Sequence, residues 1–119
     1  MSENIGSRGG AMTYNNKTGR DKRIIVHVDA DLEALLPGFL KDWQEEVRAM
    51  RQALEKKNYE TIRKIGHDMK GIGGSCGLDE ITDMGSDLAE GAKALDQESI
   101  RKNLDTLSDY LEGVEFVYE

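Results

Sequence analysis

The chain has 119 residues, enough for one domain, and its 16 Lys plus Arg against 23 Asp plus Glu give a formal net charge of −7. That excess of acid argues against a nucleic-acid binder, and one cysteine with two histidines excludes an internal disulfide and a multi-Cys or His-rich metal centre. The longest purely apolar run is Ile24-Ile25-Val26, far short of the roughly 20 residues of a membrane helix, so the composition predicts a small acidic domain of the cytoplasm.

Residues 1–22 read as a flexible N-terminal tail, rich in glycine and without helix or strand periodicity, starting MSENIGSRGG with no apolar core of a signal peptide. The domain proper is expected over 23–119. Arg23 to Val28 is β-branched and extended in character, but too short to found a sheet alone. Asp29 or Asp31 can cap a short first helix covering Leu32, Leu35 and Leu36, which Pro37 stops or kinks while fitting the first turn of the next helix. The next helix sets Phe39 or Leu40, Trp43, Val47, Met50 and Leu54 at spacings of three and four. Asn58 is the next N-cap, opening a helix with Ile62, Ile65, Met69, Ile72 and Cys76, which Gly77 terminates. Leu78, Ile81, Met84, Leu88, Ala92 and Leu95 mark another. Asp96 caps the last, with Ile100, Leu104, Leu107, Leu111 and Val114. Four long amphipathic helices bury their stripes together most simply as an all-α, antiparallel up-down-up-down four-helix bundle, here with a short extra N-terminal helix. All four stripes are used by one bundle, which predicts a monomer.

One helix carries chemistry. At ~100° per residue, the five apolar residues after Asn58 span a stripe about 80° wide, and His67 lies roughly 170° from its middle. Gly74 falls on nearly the same line, and Arg63, Lys70 and Gly71 flank it. Gly66, Gly71, Gly73 and Gly74 lie in the same helix, each at about 0.5–1 kcal/mol relative to alanine. Close approach by another macromolecule would explain so bare a backbone near His67.

Competing chemistries fail on spacing. Gly71-Ile72-Gly73-Gly74-Ser75 lacks the Gly-x-Gly-x-x-Gly pattern and the Gly-Lys-Ser/Thr ending of phosphate loops. His67-Asp68 lacks the further ligands of a metallophosphohydrolase, and Cys76 sits on the buried stripe, away from His67. Arg63 and Lys64 add positive potential one turn back, or are solvated surface.

The run His67-Asp68-Met69-Lys70-Gly71-Ile72-Gly73-Gly74-Ser75-Cys76-Gly77-Leu78 resembles the signature of histidine-containing phosphotransfer (HPt) domains. The stretch from Asp31 to Leu40, with its Pro37, resembles the same family's first helix, and the similarity covers roughly residues 29–114. The resemblance implies a four-helix phosphocarrier in which His67 takes a phosphoryl group, on Nε2 in the family, from the aspartyl phosphate of one receiver domain and passes it to another. It further implies that Lys70 stabilises phosphoryl charge and that Gly71 and Gly74, with Arg63 and Lys64, meet the receiver. The expected partners are receiver domains of response regulators and hybrid sensor histidine kinases, with no nucleic acid and no membrane. No cofactor of its own is expected, since Mg²⁺ would come with the receiver, and no kinase activity from ATP. A helical adaptor of the same fold, never phosphorylated, is the alternative; the intact His-x-x-Lys-Gly speaks against it. Some members of the family hold the other ring nitrogen with a glutamine on the following helix; Ala89 stands at that position here, leaving Glu90 or a water as substitute or the imidazole less firmly oriented.

Overall fold

A computed structural model describes residues 23–119; the expected tail, 1–22, lies outside the described residues. Four long helices dominate: α1 (Leu36–Glu55), α2 (Tyr59–Cys76), α3 (Asp79–Lys93) and α4 (Gln97–Gly113). α1 packs on α2 and α4, and α3 packs on the same two. The four apolar stripes thus close round one core. Trp43, Met50, Ile62, Met69, Ile81, Leu88, Ile100, Leu104 and Leu107 are each at most 1% exposed. Side chains of that size stabilise by about 1.5–3 kcal/mol each when fully buried. Phe39 stacks on Trp43 with ring centroids 5.9 Å apart, anchoring the start of α1.

The three turns between helices are built alike. Asn58 N–H donates to the Ala53 carbonyl, Leu78 N–H to Gly73 and Asp96 N–H to Gly91, at 2.7, 2.8 and 2.9 Å. The preceding residue in each turn is left-handed: Lys57 at φ 57°, Gly77 at 72° and Leu95 at 55°. This is the Schellman motif, used three times. The residue that closes it becomes the N-cap of the next helix. Asn58 then accepts from the Thr61 N–H, and Asp96 from the Ser99 N–H, as the sequence predicts. Leu78 has no side chain to cap with.

The structure departs from the expectation at both ends. The short N-terminal helix is a single 3-10 turn, Ala30–Leu32, capped by Asp29, and Leu36 already belongs to α1; Pro37 does sit in the first turn of that helix, as expected. Val114 is not the last residue of a helical stripe. It opens a strand, β2 (Val114–Tyr118), that pairs in parallel with β1 (Ile24–Val28) in the register Ile24 to Val114 through Val28 to Tyr118. The chain is therefore mostly helical with a two-stranded sheet, and the extended segment that could not found a sheet alone finds its partner about 90 residues away. Val28 and Val114 are buried, and Ile24, Val26, Phe116 and Tyr118 pack on the edge of the core.

Candidate functional site

α2 forms because Asn58 caps it, a 3-4 apolar pattern runs through it, and Gly77 ends it in the left-handed conformation. Its buried line is Ile62, Gly66, Met69 and Gly73, while Ile65, Ile72 and Cys76 are only half-buried. At ~100° per residue that line is rotated about 50° from the stripe drawn through the large apolar residues. The rotation follows from two glycines that bury as deeply as isoleucine without being apolar side chains.

These two glycines do not serve an external partner. A Cβ on Gly66 would lie 2.7 Å from the Gly85 carbonyl oxygen and 2.9 Å from the Ala89 nitrogen. A Cβ on Gly73 would lie 2.8 Å from the Thr82 nitrogen and from its hydroxyl. Both let the backbones of α2 and α3 touch, so the expectation that all four glycines await another macromolecule is corrected for Gly66 and Gly73. Gly85 on α3, which the sequence reading passed over, is the reciprocal half of the contact. Gly71 and Gly74 are different: both are exposed, and a Cβ on either would meet nothing within 4 Å. Nothing in the described fold asks for glycine there.

His67 is exposed in the middle of α2, on the same outer face as Lys70, Gly71 and Gly74. Among the described residues its ring makes no hydrogen bond. Ala89 sits half-buried beside the Gly66 backbone and offers no side-chain acceptor. Glu90, the substitute the sequence offered, turns instead to Lys93, 3.7 Å away.

Charge is unevenly disposed about this face. The Arg63 guanidinium donates to both carboxylate oxygens of Glu60, at 3.0 and 2.6 Å. That hydrogen bond holds the Glu60 carboxyl below its ordinary value and the Arg63 guanidinium above its own. Arg63 is thus already engaged, whereas Lys64 and Lys70 are exposed and among the described residues no carboxylate lies within ion-pair distance of either. On the other flank, Glu46 of α1 is half-buried. Burial, then the charges of Asp42 and Asp68, push its carboxyl above the ordinary value.

The only other histidine, His27, lies on β1 and is hydrogen-bonded through Nδ1 to the Glu119 carboxylate. Among the described residues no three His, Cys, Asp or Glu side chains are grouped to hold a metal ion, and no helix is long and apolar enough to cross a membrane. The arrangement presents an accessible imidazole, a lysine one turn on, and a bare stretch of helix beside them.

Searches of curated proteins and of solved structures with this chain return no match. The family model described as Hpt domain matches residues 34–115, from the residues just before α1 to the second residue of β2 and well over half of the chain, and the protein belongs to the Hpt domain family.

Proposed function

We propose that His67 is the phosphoacceptor of this domain. Hpt domains act as phosphocarriers in phosphorelays, and one observation carries the assignment to His67. It is the only histidine within the matched residues 34–115, and it stands exposed on α2 among groups that suit an anionic ligand. His27 falls outside the match and is held by Glu119.

In this reading a receiver domain bearing an aspartyl phosphate docks over α2. A lone pair of the neutral imidazole forms the P–N bond as the bond between phosphorus and the aspartyl oxygen breaks, and that electron pair leaves on the carboxylate. The proton on the other ring nitrogen is free to pass to solvent, because the ring is exposed. Transfer to a second receiver runs the same steps backwards. The neutral form of the imidazole is the one that carries the attacking lone pair. Lys70, one turn along, supplies positive charge to a phosphoryl oxygen, and its worth rises when the receiver excludes water. Gly71 and Gly74 leave room for the receiver's loops, with Lys64 adding positive potential and Arg63 shared with Glu60. Any Mg²⁺ enters with the receiver. The partners are receivers of response regulators or hybrid sensor kinases, the setting is the cytoplasm, and the helices run up-down-up-down as their short turns favour.

The test is transfer of labelled phosphoryl from a panel of phosphorylated receivers. His67→Gln is expected to abolish acceptance while leaving helicity and melting unchanged, because exposed substitutions shift stability by less than about 0.5 kcal/mol. Label retained by the Gln variant would remove His67 from the role. Lys70→Ala should slow transfer more than it weakens receiver binding, with Lys70→Arg between; equal losses in both would reduce Lys70 to a docking contact.

A further inference from the structure

The proposed phosphotransfer leaves the two-stranded sheet without a task, and among the described residues that sheet has an open side. The Val28 carbonyl accepts from the Glu119 N–H, and the Glu119 carbonyl accepts from the Ala30 N–H. In a parallel ladder alternate residues send both backbone groups the same way. Ile24, Val26 and Val28 therefore address β2, and Ile25 and His27 turn their N–H and C=O outward. Among the described residues no backbone group outside the ladder bonds to them. β1 has four β-branched residues in five and no Pro, Lys or Glu, the devices that guard an exposed edge. Ile25 is 48% exposed, and Ile24 and Val26 are only half-covered on the inner face.

We propose that a second copy of this chain adds across the free edge of β1, antiparallel, giving a four-stranded sheet in the order β2-β1-β1-β2. A twofold axis through Val26 sets the register. Ile25 then stands opposite the partner's His27, and the two residues exchange both backbone hydrogen bonds. Arg23, which already faces Glu115 of its own copy at 3.6 Å, stands opposite the partner's Asp29 at each end of the pairing, so that opposite charges lie directly across. On the inner face Val26 meets the partner's Val26 and Ile24 meets the partner's Val28, which covers the side chains that one copy leaves half-exposed. A register centred on Ile25 would lose the Asp29 pairing and set Arg23 against the partner's His27. Pairing through β2 would gather Glu115 and Glu119 of both copies on one face. Charge and register therefore select β1. The monomer expectation counted helix stripes and gave the strand no part. One added strand on each side covers much less than the roughly 1,600 Å² of a standard interface, so this dimer exchanges with monomer.

The experiment is sedimentation equilibrium of the full chain over a concentration series, with amide hydrogen exchange at its two ends. The mass should rise towards the dimer as concentration approaches about 1 mM. The amides of Ile25 and His27 should become protected over the same range. Ile25→Pro removes an outward N–H and spares the β1–β2 ladder, so it should hold the protein at monomer mass with unchanged circular dichroism. Ile25→Lys retains the N–H and tests the edge if the proline variant misfolds; it too should suppress the dimer. A chain that stays monomeric throughout, or two variants that dimerise like the parent, would overturn the proposal. Protection of both amides that does not change with concentration would overturn it as well, since the edge would then be occupied within one copy.

Discussion

Gly66 and Gly85 each hold a carbonyl oxygen where the other's side chain would start. A Cβ on Gly85 would fall 2.6 Å from the Gly66 oxygen, and one on Gly66 would fall 2.7 Å from the Gly85 oxygen. No rotamer change relieves a clash with backbone, so α2 and α3 must separate if either residue becomes alanine. Overpacking of this kind costs about 1–3 kcal/mol, against a gain of at most about 1 from alanine's helix propensity. Gly66→Ala and Gly85→Ala are each expected to lower stability in urea unfolding. The double variant should lose less than the sum, because the first separation makes room for the second methyl.

The outer glycines should respond with the opposite sign. Gly71→Ala and Gly74→Ala meet open space, so each should raise stability by about 0.5–1 kcal/mol. If these positions face a receiver, a bulky Gly74→Leu should weaken binding measured by calorimetry while the fold is retained. Unchanged affinity would mean that glycine at 74 has no docking role.

This division of the glycines marks where the sequence stopped being legible. The helices and their ends could be read because Asn58, Gly77 and Asp96 signal locally, within a few residues of what they cap. The exposure of His67 could be read from periodicity. The axis of burial on α2 could not, because Gly66 and Gly73 contribute closeness of backbone and no apolar area, so a count of large side chains turns the wheel towards Ile65 and Ile72. Gly85 was invisible for the same reason. The sheet escaped because each strand has five residues and each is marginal alone. Val114 also happens to continue the α4 spacing from Leu111, so the strand read as helix.

The three repeated turns allow a test of left-handed strain. Leu95 adopts φ 55° and is 63% exposed, whereas Gly77 does the same work at 72° with no Cβ. A non-glycine residue in this conformation costs about 1–2 kcal/mol. Leu95→Gly should therefore stabilise by about 1 kcal/mol after the extra chain entropy of glycine in the unfolded state is subtracted. Gly77→Ala should destabilise by a similar amount. Thermal unfolding of the two variants checks both signs.

Glu46 gives the fold a dependence on acid pH. Burial, then the charges of Asp42 and Asp68, raise its folded pKa above the unfolded value. The folded state then holds the proton more tightly, so this group's contribution to stability improves as pH falls through the folded pKa and levels off below the unfolded one. At neutral pH the ionised carboxylate opposes folding. Glu46→Gln should raise stability at pH 7 and remove that rise on acidification. Urea unfolding between pH 4 and 7 reads this, and an unchanged pH profile would sink it.

Tyr110 makes the opposite end of the pH range informative. Its ring lies in the core at 6% exposure, and its hydroxyl is buried with no hydrogen-bond partner among the described residues. Burial, and then the Glu80 carboxylate, push the hydroxyl from 10.0 up to about 12. An unsatisfied buried polar group costs about 1–3 kcal/mol, while replacing hydroxyl by hydrogen leaves the ring's apolar contacts in place. Tyr110→Phe should therefore be as stable as the parent or more so at pH 7. The alkaline limb separates the two chains further. Above about pH 10 the unfolded tyrosine ionises first, which favours unfolding, and the penalty grows until the folded group also ionises. The parent should lose stability through this window, and the phenylalanine variant should lose less by the share that Tyr110 contributes. Denaturant midpoints for both chains between pH 7 and 11 measure it. A phenylalanine variant that is markedly weaker at pH 7 would show that the hydroxyl has a partner, such as an ordered water, that stabilises the fold.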